Sequence, residues 1–158
     1  MDDAAKVLAV EEIKKLKARY FRAIDTKDWS LLEQVFTDDA TCDYRGAATD
    51  PSTGTNAVPV ATETVLQGKA AILASLKTGL AEVVTVHMGY MPEIEVTSGT
   101  GATAIWAMSD TLRFPAGGAL GGLSGSGHYH ETYERIDGKW RIKALRLTRL
   151  RVDVVEAR

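Results

Sequence analysis

A single cysteine, Cys42, stands among the 158 residues, so neither an internal disulfide framework nor a four-cysteine zinc site can form. A reducing cytoplasm is therefore the expected compartment, with Cys42 an inert strand residue. Basic residues are not in excess: 19 Lys and Arg face 21 Asp and Glu, a net charge of -2 that leaves no electrostatic footprint for nucleic acid. No apolar run approaches membrane length. The opening Met1-Asp2-Asp3 has neither the basic nor the apolar region of a secretory signal. The expectation is a soluble intracellular protein with neither nucleic acid nor a membrane among its partners. What is present is a hydrophobic content of 45%, enough for the whole chain, residues 1 to 158, to bury one core as one domain.

Periodicity changes once along the chain. Residues 4 to 25 carry Leu8, Ile13, Leu16, Tyr20 and Ile24 at helical spacing. Asp28 can N-cap a second helix running through Leu31, Leu32, Val35 and Phe36, ended by Thr37-Asp38-Asp39. Thr41 to Arg45 reads as a strand, 46 to 62 as a long surface loop, and Lys69 to Leu80 as a third helix with Ile72, Leu73 and Leu76 facing inward. From residue 82 the period is two, with strands expected at 83 to 90, 92 to 98, 102 to 114, 127 to 137 and 139 to 152. Asp137-Gly138 is a two-residue hairpin signal joining the last two. The glycine-rich stretch from Ala116 to Gly127 reads as a mobile flap. Helices first and strands afterwards argue for an α+β fold.

Two residues could form a proton-transfer pair. Asp25 falls at the end of the first helix and His87 in the strand Val83 to Tyr90. An aspartate can hold an imidazole in one tautomer through Nδ1 and leave Nε2 free to take a proton. On spacing alone Asp25 could equally end its helix or pair with Arg22. His87, sharing a face with Val83 and Thr85, could be a structural histidine.

Tyr20-x4-Asp25, the turn Lys27-Asp28-Trp29, Asp43-Tyr44-Arg45, the mid-chain His87 and the closing Asp137-Gly138-Lys139-Trp140-Arg141-Ile142 together resemble the SnoaL-like branch of the nuclear-transport-factor-2-like superfamily. The motifs are most similar to those of scytalone dehydratase and bile acid 7-alpha-dehydratase. The resemblance implies a cone-shaped, strongly curved mixed sheet, a cystatin-like roll, wrapped by three N-terminal helices around an apolar pocket. It implies Asp25 and His87 as the dyad, with Tyr20 and Asp110 as further active-site residues and Tyr44 as a substrate-polarising tyrosine. Ile24 departs from scytalone dehydratase, which has a tyrosine directly before its aspartate, and no second histidine stands near Asp110 to Leu112. Scytalone is thus not the expected substrate.

The mechanism so implied is elimination from an apolar cyclic small molecule without a cofactor or metal: a dehydratase or dehydrohalogenase type of lyase. The alternatives are isomerisation or cyclisation of a polycyclic ketone, and a module that only binds. Trp106, Met108, Tyr129 and Phe21 are the candidates for substrate contact. His128 and His130 share one strand face at a spacing that could bind metal, but nothing nearby supplies further ligands, and they are expected to point outward with Tyr129 and Tyr133 inward. One of Arg146, Arg149 and Arg151 is expected to reach the cavity mouth, the choice depending on any bulge near Ala144-Leu145. An exposed sheet face carrying His128 and His130 points to a homodimer or homotrimer.

Overall fold

The computed structural model describes residues 1–56 and 64–157. The elements are α1 (Asp3–Thr26), α2 (Trp29–Glu33), β1 (Phe36–Asp43), β2 (Leu66–Gln67), α3 (Lys69–Leu80), β3 (Val84–Val96), β4 (Gly101–Arg113), β5 (Leu120–Ile136) and β6 (Lys139–Glu156). The six strands form one mixed sheet in the order β2-β1-β6-β5-β4-β3, with β1 parallel to β6 and every other neighbour antiparallel. The helices lie against the sheet's inner face, α1 over β3 and α3 over β1. This is the expected α+β arrangement.

Asp2 opens α1 by accepting the Ala5 amide at 2.8 Å. Ala9, Ile13, Leu16, Tyr20 and Ile24 then face the core at helical spacing, while Leu8, read from sequence as part of that stripe, is exposed. Asp28 caps α2 as expected, accepting from the Leu31 amide at 3.0 Å. The helix is shorter than its apolar residues suggested, because Phe36 is claimed by β1, where it pairs with Ile142. β1 accordingly takes in Thr37-Asp38-Asp39, which the sequence reading had assigned to a helix end. α3 matches its expected span and buries Ile72 and Leu76.

Two expectations about the sheet are corrected. The strands read as 83 to 90 and 92 to 98 are one strand, β3, with a shift of register between Gly89 and Pro92. A bulge lets a strand absorb a proline on the outer edge of a sheet. The glycine-rich stretch, expected as a flap throughout, is turn and bend only from Ala116 to Ala119. From Leu120 it is the first half of β5, packed so closely that a Cβ at Gly122 would lie 2.1 Å from the Leu112 carbonyl oxygen and one at Gly127 1.9 Å from that of Thr148. Those glycines serve close approach of backbones and not mobility. The Asp137-Gly138 hairpin is present, with φ of 50° and 75° as a primed turn requires. Of the surface loop expected at 46 to 62, residues 57 to 62 lie outside the described residues; Tyr44 to Asn56 folds into turns closed by a Thr49–Asn56 bridge.

Candidate active site

Period-two alternation in β3 decides which residues meet α1. Thr85 is only 3% exposed, whereas its neighbours Val84 and Val86 are 50% and 46% exposed on the outer face. His87, two residues on from Thr85, therefore faces the last turn of α1. Its Nδ1 lies 2.6 Å from Asp25 Oδ1, and its backbone N–H donates to Asp25 Oδ2 at 2.9 Å. The Thr85 hydroxyl donates to Asp25 Oδ1 at 2.9 Å. Burial pushes the Asp25 carboxyl up, but the hydrogen bonds from His87 and Thr85 and the electrostatic attraction of the His87 ring outweigh it and hold the group below the ordinary carboxylate range. An ionised Asp25 can only accept, so Nδ1 carries the imidazole proton and Nε2 is left as the basic atom. Nε2 makes no hydrogen bond among the described residues.

The ring is clamped from behind. Phe21, one helical turn before Asp25, stacks on His87 with ring centroids 6.1 Å apart and an interplanar angle of 13°. Gly89 makes the clamp possible, since a Cβ there would stand 2.6 Å from Phe21 Cε2. Spacing alone gave no sign of Gly89's part, because its reason is a tertiary contact.

His87 opens on a cavity of about 220 Å³ lined by Tyr20, Ile24, Tyr44, Leu76, Leu80, Leu112, Phe114, Leu123, Tyr129 and Leu147, with Asp110 and Arg149 on the wall beside the imidazole. Asp110 is the β4 residue directly paired with His87. It accepts two hydrogen bonds from Arg149, at 3.0 and 2.8 Å, and both side chains are buried. Arg149 Nε donates to the Ala47 carbonyl at 2.6 Å, tying the loop after β1 to the pocket. Gly125 leaves room for this pair: a Cβ there would lie 2.5 Å from Arg149 Nη1. Across the cavity the Tyr20 and Tyr44 hydroxyls are 3.0 Å apart. Burial drives the phenols of Tyr20, Tyr44 and Tyr129 well above their ordinary range, so all three are neutral donors.

Among the three candidate arginines, Arg149 is the one at the cavity. Arg146 and Arg151 are solvated beside Asp43 and Asp153. The deciding bulge is at Leu150, where the pairing steps from Ser126–Arg151 to Gly127–Arg149, and not near Ala144-Leu145 alone. Three expected substrate contacts are corrected. Trp106 is buried in the core with its Nε1 donating to Tyr133 at 2.8 Å, Met108 lies behind Arg149, and Phe21 backs the imidazole. None of the three lines the cavity, whereas Tyr129 does. His130 points outward and bonds Thr148 through Nε2 at 3.0 Å. No cluster of three or more His, Cys, Asp or Glu able to hold a metal occurs among the described residues.

Beneath the pocket floor lies a feature that sequence reading passed over. Lys17 is wholly buried and pairs with Glu131 at 2.5 Å, its ammonium 3.5 Å from the ring centroid of Tyr129 and 4.1 Å from that of Tyr20. Burial lowers its pKa against the opposing pull of Glu131. Glu131 also accepts from Tyr133, so the network runs from Trp106 to Lys17.

No helix among the described residues is long and apolar enough to cross a membrane. The fold is similar to that of a Novosphingobium aromaticivorans protein assigned as a scytalone dehydratase, with a TM-score of 0.76 and 18% identity over 99% of this chain and 94% of that one. It is similar also to hexachlorocyclohexane dehydrochlorinase LinA-type3 from Novosphingobium barchaimii (TM-score 0.72, 17% identity, 98% and 94% covered). A Mycobacterium tuberculosis protein of unknown function matches at 26% identity, with a TM-score of 0.69 over 90% of this chain and 76% of that one. The sequence profile of the SnoaL-like domain matches residues 5–146, and the chain belongs to that family of the nuclear-transport-factor-2-like superfamily.

Proposed function

We propose that the protein is a cofactor-independent lyase of the dehydratase or dehydrohalogenase type, acting on a compact, largely apolar cyclic molecule. The observation that carries this reading is the contact of Asp25 with His87 Nδ1 at the wall of an apolar cavity, with Nε2 free of any protein partner among the described residues. His87 Nε2 takes a proton from carbon next to a carbonyl or from the carbon adjacent to the one bearing the leaving group. Asp25 stabilises the imidazolium formed. The C–H electron pair becomes the new double bond as the bond to the leaving group breaks. For a hydroxyl substrate the abstracted proton leaves with hydroxide as water; for a halide it is released with the anion.

Tyr44 and Tyr20 are placed to hydrogen-bond an oxygen that gains negative charge, an interaction worth most in a dry site. Asp110 is the carboxylate of the cavity wall. Its two hydrogen bonds to Arg149 make it an acceptor, so the donor beside the leaving group is the guanidinium. The carboxylate behind the imidazole and the one on the cavity wall are both occupied, Asp25 by three donors and Asp110 by two. That disfavours an isomerase using a carboxylate as its base, and leaves the imidazole as the available one.

The test is a panel of cyclic β-hydroxyketones and halocycloalkanes assayed for alkene formation. His87→Ala and Asp25→Asn should each lower kcat by about 10²–10⁴-fold with little change in KM. The double variant should lose barely more than either alone. Tyr44→Phe should lose less. Full turnover in Asp25→Asn would rule the mechanism out, and unchanged binding without turnover across the panel would favour a module that only binds.

A further inference from the structure

Helix α1 ends in a conformation that its sequence does not favour. Lys27 sits at φ 58° and ψ 28°, the left-handed region where helices usually place glycine. The Lys27 and Asp28 amides close on the Ile24 and Ala23 carbonyls, at 3.2 and 2.9 Å, in the manner of a glycine-ended helix. Among the described residues the other non-glycine with positive φ is Asp137, a type that tolerates this region, which lysine is not. What glycine would lack is the side chain, and here the side chain has a definite target.

Lys27 Nζ lies 3.1 Å from Thr85 Oγ1, and Thr85 Oγ1 lies 2.9 Å from Asp25 Oδ1. An ammonium has protons to give and no lone pair to receive one, so the Thr85 oxygen accepts from Lys27 and must turn its single proton toward Asp25. Asp25 in turn accepts from the His87 amide and from Nδ1. Each link of Lys27, Thr85, Asp25 and His87 thus has one direction, set at the lysine end.

We propose that Lys27 and Thr85 are positioning residues of the dyad: the lysine holds the Thr85 hydroxyl on Asp25 and tempers the carboxylate's pull on the imidazolium, keeping Nε2 available as a base. This rests on the reading of His87 as the base. Among the described residues, the charged groups that face the dyad are Lys27 from the end of α1, Asp110 from β4 and Arg149 from β6. Asp110 and Arg149 neutralise each other, Tyr44 of the β1 loop and Tyr129 of β5 are uncharged, and α3 contributes only Ser75, Leu76, Gly79 and Leu80. The field at Asp25 is therefore sensitive to Lys27 above the others. Strain of this kind, held at a site where the side chain has a job, is a recognised mark of function.

The experiment compares Lys27→Gly, Lys27→Met, Lys27→Arg and Thr85→Val in protein carrying 15N-labelled histidine, following the His87 ring by NMR from pH 5 to 9 alongside thermal unfolding and pH–rate profiles. Lys27→Gly should unfold at or above the wild-type temperature, because glycine relieves the backbone. Its imidazole should nonetheless take up a proton at higher pH than in the wild type, with the acid limb of kcat/KM moving the same way. At pH 6 kcat/KM should fall several-fold with KM unchanged. Lys27→Met should behave alike, Lys27→Arg should restore the wild-type profile, and Thr85→Val should shift or broaden the downfield Nδ1–H resonance. Superimposable imidazole titrations in Lys27→Gly, Lys27→Met and wild type would overturn the proposal, as would a Lys27→Gly protein that fails to fold. The NMR titration needs no substrate, so it decides this point even if the His87→Ala assay defeats the lyase reading.

Discussion

Replacing Lys17 by methionine should be strongly destabilising although the residue lies outside the cavity lining. The Lys17 and Glu131 side chains are 1% and 0% exposed, and their contact is 2.5 Å. Methionine fills much the same volume against Tyr20, Phe21 and Tyr129, so the loss is electrostatic: Glu131 is left buried with only the Tyr133 hydroxyl to hold its charge. Breaking a buried pair from one side is worth about 3–5 kcal/mol. For a chain of this size each kcal/mol moves the unfolding temperature by roughly 2–4 °C. The expected fall is therefore roughly 6–20 °C. Adding Glu131→Gln removes the stranded charge and keeps an acceptor for Tyr133, so the double variant should recover at least half of the loss.

Glu131→Gln alone should be milder. The stranded group is then a lysine whose pKa burial already lowers, and it can shed its proton. The folded state then binds one proton fewer than the unfolded state, in which the lysine stays protonated near neutral pH. The variant's stability relative to wild type should consequently rise from pH 7 to 9. Guanidinium unfolding followed by circular dichroism at fixed protein concentration measures all three. A Lys17→Met protein within about 1 kcal/mol of wild type, or a double variant no better than Lys17→Met, would refute the reasoning.

Three further outcomes are expected. Gly89→Ala drives a Cβ to 2.6 Å from Phe21 Cε2 and should unseat the ring from His87, lowering turnover by about 10- to 100-fold in a protein that still folds, measured as kcat against unfolding temperature. Asp50 accepts from the Ser52 hydroxyl, from the Val152 amide at 2.9 Å and from the Ser52 and Thr53 amides, which together hold its carboxyl far below the ordinary range; its contribution is complete above about pH 4 and is lost as the pH falls toward the depressed folded value, so Asp50→Asn should flatten the acid side of the stability profile. The outer face of β3 and β4 exposes Val84, Val86, Met88 and Ile105, and light scattering should find a dimer or trimer instead of the 17.1 kDa chain alone.

The legible parts of this molecule are those fixed by neighbours in sequence. The stripe from Ile13 to Ile24 and the Asp137-Gly138 turn carry their own local reasons, and both appear as read. The parts that went unread have partners far along the chain. Gly122, Gly125 and Gly127 look like flexibility until Leu112, Arg149 and Thr148 arrive beside them. Lys17 looks like one more solvated residue of a charged helix until Glu131, 114 positions later, receives it. Arg149 could not be told from Arg146 and Arg151, because a bulge at Leu150 sets the parity and leaves no local mark. Asp25 and His87 were singled out by residue type and family pattern, and the structure brings them to 2.6 Å.

The parallel pairing of β1 with β6 joins Cys42 to Leu145 and Asp43 to Arg146, so the chain must bring segments about a hundred residues apart into register before its sheet is continuous. Tyr44 follows β1 directly, and Arg149 lies on β6 three residues beyond that pairing. The two walls of the cavity are therefore assembled by the same late event. Helix α1 needs only its own residues and can form on a submicrosecond to microsecond scale, whereas pairing of such distant segments belongs to the millisecond-to-second range. In a refolding experiment the helical signal should accordingly return first, with ligand binding following as a separate, slower phase that times the closure of β1 on β6.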